Sequence, residues 1–403
     1  MRTRHSSALL ATWVVIALIF ATSPATAQLT MPSYVSPEVG ADRRVTFRYL
    51  APAAREITVS GELGGRSYPM TKDAKGLWSA TTDSLPPDIY TYTFNVDGVT
   101  ALDPTNANTK YGYSIFGAAS IVQVPGDGPQ FYDVKPVPHG AVRIQPYVST
   151  TLGVSRTVWI YTPPGYDTGK DYPVLYLLHG GGDIESGWTM IGRANNILDN
   201  LIAEGRAEPM VVVMPLGHTI QSFWTGPAVT VPDPAMAAAG AGGSLDAIIR
   251  AMMAGDGKGG LSPFARDLVD DVMPMVESTF KVSRRPDHRA IAGLSMGGGQ
   301  TINLAFNRPD LFRYVVLMSP AAAGGVDGIY PSLFGEPGRV NAQFKLLWLG
   351  VGKDDMLTGP GDIAFAATLR ARGINHTFEV TEGRHEWTVW RHYLRDVAPL
   401  LFQ

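Results

Sequence analysis

Two textures of apolar and polar positions divide the chain. From about residue 30 to 125, hydrophobic and polar side chains alternate in short runs such as Val45-Thr46-Phe47-Arg48-Tyr49, Glu56-Ile57-Thr58-Val59-Ser60 and Tyr90-Thr91-Tyr92-Thr93-Phe94. Turn signals at Gly64-Gly65, Lys75-Gly76, Pro86-Pro87 and Asp97-Gly98 separate them. Period-two alternation between turns predicts a small antiparallel sandwich, all β and immunoglobulin-like. A Pro- and Gly-rich stretch over 126–140 reads as a linker.

From 141 to 403 the pattern changes. Val174–Leu178, Met210–Met214, Tyr314–Met318 and Leu346–Leu349 are nearly all apolar, as strands buried on both faces are. Helical periodicity appears at Ala194–Ala203, Phe264–Phe280, Ile363–Arg372 and Val389–Leu400. Strands alternating with helices predict an α/β domain with a parallel sheet covered on both faces. Residues 217–260 fit neither template; they are rich in Ala and Gly and suit either an active-site loop or a surface excursion.

Composition changes the picture at three points. A length of 403 residues asks for two domains, and 45% hydrophobic with 17% charged residues is a globular balance. The net charge of -3 implies no basic surface for nucleic acid. At the start, Arg2 and Arg4 precede an apolar stretch to about Ala21, and Ala25-Thr26-Ala27 offers a small-x-small cleavage site. This reads as a signal peptide over 1–27, hence a secreted or periplasmic protein with no stable membrane insertion after its removal. The chain has no Cys, so export would bring no disulfides.

The candidate chemistry centres on Gly293-Leu294-Ser295-Met296-Gly297, set between a strand-like run and a helix-like one that ends before Pro309. Strand, tight turn and helix with small residues round a serine make the nucleophile elbow of α/β-hydrolases. In that architecture the order along the chain is Ser, acid, His. Three histidines follow Ser295: His376 opens a strand-like run, His392 lies in the terminal helix, and His385 sits in the loop between them. His385 is therefore the expected base. Gly352-Lys353-Asp354-Asp355 follows an apolar strand and offers two carboxylates pointing opposite ways; Asp355 is the expected acid and Asp354 the solvated alternative. An oxyanion needs preformed backbone donors. Met296, which opens the helix, and Gly181, in Leu178-His179-Gly180-Gly181-Gly182, are the candidates. Trp188, Trp224 and Trp387 are candidate stacking surfaces for an aromatic acyl group. No metal or cofactor is called for: His385-Glu386 lacks a second His four residues on, and the glycines at 255–260 lack the Ser or Thr of a phosphate loop.

These stretches, with Gly383-Arg384-His385-Glu386-Trp387-Thr388-Val389-Trp390, resemble carbohydrate esterase family 1, which includes feruloyl and acetylxylan esterases and is related to esterase D. The resemblance implies an α/β-hydrolase fold and a serine esterase acting on acyl esters of cell-wall polysaccharide such as arabinoxylan. Esterases for siderophore trilactones or other small esters, acyltransferases, and a non-catalytic glycan-binding protein are the rival readings. Residues 35–125, through Gly76-Leu77-Trp78-Ser79, Asp97-Gly98 and Asp103-Pro104-Thr105-Asn106, resemble the early-set domain of carbohydrate-binding module family 48, which implies a glycan context. Trp78 would be the stacking residue there, but a mid-strand position in an alternating run favours a core role.

Overall fold

The alternating runs of the first third pair antiparallel into two small sheets. The computed structural model describes residues 33–113, 117–166, 171–220, 222, 260–322 and 326–403. Residues 36–403 form one unit, the one described below. Its early strands are β1 (Glu38–Val39), β2 (Val45–Leu50), β3 (Ile57–Gly61), β4 (Tyr68–Pro69), β5 (Thr71–Lys72), β6 (Leu77–Thr81), β7 (Asp88–Val96), β8 (Val99–Ala101), β9 (Thr109–Lys110) and β10 (Ala119–Val124). One sheet runs β1-β2-β6-β5 and the other β4-β3-β7-β10-β9, with β8 beside β7. Inward positions of both, among them Val45, Phe47, Val59, Tyr92 and Phe94, make one core. Trp78 belongs to it: 5% exposed, its Nε1–H donates to the Ala51 carbonyl at 2.9 Å. It presents no free ring to a sugar.

The second region forms an eight-stranded sheet from β11 (Ala141–Ser149), β12 (Val154–Thr162), β13 (Val174–Leu178), β14 (Val211–Pro215), β15 (Arg289–Leu294), β16 (Tyr314–Met318), β17 (Leu346–Gly352) and β18 (Thr377–Thr381), in the order β11-β12-β14-β13-β15-β16-β17-β18. β13 through β18 run parallel, while β11 and β12 are antiparallel, so the sheet is mixed where the strand–helix alternation predicted a parallel one. Alternate side chains serve opposite faces. Val174, Tyr176 and Leu178 enter one core with the helices Pro263–Thr279 and Met296–Asn307, and Leu175 and Leu177 enter another with Ala194–Ala203 and Trp387–Val397. The run predicted as one helix over 264–280 is broken by a π-helical turn, Leu268–Val272, just before Pro274, which has no N–H to donate.

The early strands are not a separate appendage. Ile89 of β7 and Ile121 of β10 lie in the same core as Leu175 and Trp387. The stretch read as a linker is fastened as well: Tyr132 is fully buried, and Asn196 and Asn200 donate to the Tyr132 and Phe131 carbonyls at 3.1 and 2.8 Å. Arg391, 0% exposed in the terminal helix, pairs with Asp88 of β7 and donates to the Ile191 carbonyl at 2.7 Å. His392 reaches the other Asp88 oxygen at 3.0 Å. Among the described residues no helix is long and apolar enough to cross a membrane.

Removing one partner of a buried ion pair strands the other charge, which typically costs about 3–5 kcal/mol. Arg391→Met should therefore lower the unfolding free energy by about that much, read by urea denaturation. A loss below about 1 kcal/mol would mean that this seam does not hold the two regions together.

Candidate active site

Ser295 stands at the corner between β15 and the helix Met296–Asn307, with φ 50° and ψ -118°. A side chain rarely adopts that backbone. The surrounding glycines explain how it is held. A methyl on Gly293 would sit 2.1 Å from the Gly297 carbonyl oxygen, one on Gly297 2.6 Å from the His179 carbonyl oxygen, and one on Gly298 2.4 Å from Pro320 Cα. The helix can press against its strand only where those side chains are missing. The Ser295 amide donates to the Met318 carbonyl at 3.0 Å, tying the corner to β16.

The loops after β17 and β18 bring the other two groups. His385 Nε2 lies 2.8 Å from Ser295 Oγ, and Nδ1 lies 2.8 Å from Asp355 Oδ2. Asp355 can only accept, so Nδ1 carries the proton and Nε2 is free to accept the serine hydroxyl hydrogen. Asp355 is buried, which alone would raise its pKa; bonds from His385 and from the Thr358 amide and hydroxyl, at 2.9 and 3.0 Å, outweigh that and hold it at about 2. It is therefore a carboxylate at neutral pH. Asp354 is exposed, its amide spent on the Gly383 carbonyl at 3.0 Å, and a methyl on Gly352 would meet that same carbonyl oxygen at 2.5 Å. The acid loop and the histidine loop are thus laced through their backbones. Trp390 packs edge-on to the His385 ring at 4.9 Å and limits its swing.

The expected oxyanion donors are neighbours. Gly181 is exposed in a turn closed by the Asp183 amide on the Gly180 carbonyl at 3.1 Å, and a methyl on it would lie 3.8 Å from Met296 Cβ. Behind the turn, His179 donates from Nδ1 to the Gly180 carbonyl and accepts at Nε2 from the Gly217 amide, both at 2.8 Å. Burial pulls His179 down to about 4, and burial with the neighbouring His179 pulls His218 down to about 3. Both are neutral struts.

The tryptophans need correction. Trp188 is 1% exposed with Nε1 bonded to the Leu178 carbonyl at 3.0 Å, and Trp387 is 3% exposed, packed edge-on to Trp188 at 5.1 Å. Both rings are spent on the core, so neither offers a face to an acyl group. Trp224 and most of the 217–260 stretch lie outside the described residues. Groups that reasoning from the chain alone passed over are Thr358, Trp390, His218 and Glu62. Burial pushes Glu62, which follows β3, up to about 7, and it accepts from the Trp387 amide at 2.6 Å, two residues past His385.

The Esterase family matches residues 149–348. The chain is 31% identical over 387 residues, 93% of its length, to an endo-1,4-beta-xylanase/feruloyl esterase of Xylanibacter ruminicola, and spans 47% of that protein. It is 26% identical over 304 residues to endo-1,4-beta-xylanase Y of Acetivibrio thermocellus, 67% of this chain and 24% of that one. It therefore spans about half or less of these relatives. In fold it is similar to a CE1 ferulic acid esterase from Anaeromyces mucronatus, with a TM-score of 0.52 at 20% identity over 68% of this chain and 96% of that one. The chain is thus similar to the Esterase family over residues 149–348 and, in fold, to CE1 ferulic acid esterases. Enterobactin esterase from Shigella flexneri shares the fold of this chain more widely, with a TM-score of 0.62 at 19% identity over 89% of this chain and 93% of that one.

The neutral struts have a pH consequence. Unfolded histidines titrate near about 6.5, above both folded values, so the unfolded state binds more protons in between. Stability should fall as pH drops from about 6.5 through 4 and 3, and His218→Gln should flatten part of that slope in urea titrations. An unchanged slope would mean that His218 is not buried as a neutral ring.

Proposed function

We propose that this esterase hydrolyses acyl esters, feruloyl or acetyl, on plant cell-wall polysaccharide such as arabinoxylan, after export by a leader in residues 1–27. The observation that carries the reading is the unbroken chain of hydrogen bonds from Asp355 through His385 to a serine in strained backbone. The substrate class rests on the feruloyl esterase named in the 31% identical relative. Residues 30–125 are read as an early-set domain joined by 126–140 to the catalytic region at 141–403.

In this mechanism Ser295 Oγ attacks the ester carbonyl while His385 Nε2 takes its proton. The tetrahedral oxyanion settles against the Met296 and Gly181 amides, the first at the positive end of a helix. Collapse expels the sugar alkoxide, which receives the proton from His385, and leaves the acyl group on Ser295. Water, deprotonated by the same imidazole, then releases the acid and restores the serine. Asp355, ionised throughout, keeps the imidazole in the required tautomer and stabilises its protonated form.

Ser295→Ala should reduce turnover of an aryl ester by about 10⁴–10⁶ with the unfolding transition unchanged. Retained turnover in that variant would remove the reading. A single arabinoxylan digest, analysed by chromatography for ferulate and acetate together, assigns the acyl group. Release of neither, with efficient cleavage of a catecholate trilactone instead, would favour the siderophore-esterase reading. A fluorophosphonate that fails to label Ser295 would favour a glycan-binding protein.

A further inference from the structure

The turn that carries Gly181 is held from outside the catalytic region. β9 and β10 pair antiparallel, with Lys110 opposite Ala119. The described residues that follow β9, up to Tyr113, and that precede β10, from Gly117, meet the turn Gly180–Asp183. Lys110 Nζ forms an ion pair with the Asp183 carboxylate, and both side chains are less than a tenth exposed. The Tyr113 amide donates to the Gly182 carbonyl at 3.3 Å, and the Tyr113 ring stacks on His218 at 4.0 Å. His218 Nε2 in turn donates to the Asp183 carbonyl at 3.1 Å. Gly117 closes the contact: a methyl there would lie 1.8 Å from the Gly182 carbonyl oxygen.

Three of the four carbonyls of this turn are thus engaged. Gly180 accepts from Asp183 and His179, Gly182 from Tyr113, and Asp183 from His218. A glycine-rich turn has little stiffness of its own. What stiffness this one has comes from partners, and two of them, Lys110 and Tyr113, belong to the early β region. A buried ion pair adds little net stability over an apolar pair of the same shape, but it fixes geometry because neither charge can be left alone. Gly181 lies beside Met296 only while the turn keeps this shape.

We propose that the β9–β10 strand pair is a positioning element of the ester-cleaving site: Lys110, Tyr113 and Gly117 hold the Gly180–Asp183 turn so that the Gly181 amide meets the developing oxyanion. The inference rests on the serine-esterase reading above and adds a function to the early domain that needs no glycan. It acts on the transition state. Loosening the turn therefore affects kcat rather than KM.

The test uses the full chain in three variants, Lys110→Met, Gly117→Ala and Lys110→Arg, with Lys72→Met as a control elsewhere on the early domain. Each is titrated to completion with a fluorophosphonate, so that rates are expressed per competent site. Complete loss of an oxyanion donor costs about 10²–10³, so a displaced one should lower kcat on an aryl ester by about 10- to 100-fold in Lys110→Met and Gly117→Ala. KM should stay within about twofold, as for an interaction made only in the transition state. Affinity for an arylboronic acid, whose serine adduct is tetrahedral, should fall in parallel with kcat, and Lys110→Arg should recover much of both. Gly117→Ala moves the turn without removing a charge, so it answers if Lys110→Met folds poorly. Unchanged kcat per titrated site in both variants would overturn the proposal, as would a loss explained wholly by fewer competent sites. A wild-type protein that neither labels nor turns over esters would overturn the esterase reading itself, and the strand pair's role with it.

Discussion

The backbone at Ser295 is the constraint on which the rest of the structure depends. A non-glycine residue at φ 50° and ψ -118° stores about 1–3 kcal/mol that its surroundings must supply. They do so by close approach. Three glycines let the helix, the His179 loop and the Pro320 segment press against the corner, and the Ser295 amide is committed to β16. The serine oxygen is consequently held clear of the sheet at hydrogen-bond distance from an imidazole whose other nitrogen is already engaged.

The groups around the corner come from loops, and each loop is tied down by buried polar contacts. The acid loop is laced to the histidine loop through backbone bonds. The helix after His385 begins on the Glu62 carboxylate, and Arg391 further along it pairs with Asp88. Lys110 pairs with Asp183 in the turn Gly180–Asp183. Of those outer partners, Asp88 and Lys110 lie on β7 and β9, and Glu62 directly follows β3. With Ile89 and Ile121 sharing the hydrolase core, the two regions behave physically as one framework.

Much of this was legible in the chain, for a physical reason. Strands buried on both faces are continuous apolar runs, so Val174–Leu178 and Tyr314–Met318 were predicted to the residue, as was the helix Ala194–Ala203 with its periodic apolar stripe. Ser295, Asp355 and His385 could be singled out because only three histidines follow the serine and only His385 falls between the strand-like run that His376 opens and the terminal helix. Strands β11 and β12 escaped notice. β11 is a largely exposed edge strand, with Val142, Ile144 and Val148 facing solvent, so hydropathy gives it no buried face to display. The helix Gly359–Ala371 opens with Gly-Pro-Gly, which reads as a turn. Trp188 and Trp387 were misjudged because composition cannot distinguish a tryptophan that packs from one that waits for a ligand. Lys110 with Asp183 and Glu62 with Trp387 are 73 and 325 residues apart, and no local period marks such pairs.

The central claim is that acyl transfer passes through the oxygen of Ser295. Rapid-quench mass spectrometry of the protein mixed with excess feruloyl aryl ester tests it most directly. The account requires one feruloyl group on the tryptic peptide containing Ser295, formed within the first turnover and lost as ferulate appears. Ester turnover with that peptide unmodified throughout, or with the acyl group on another residue, would contradict it.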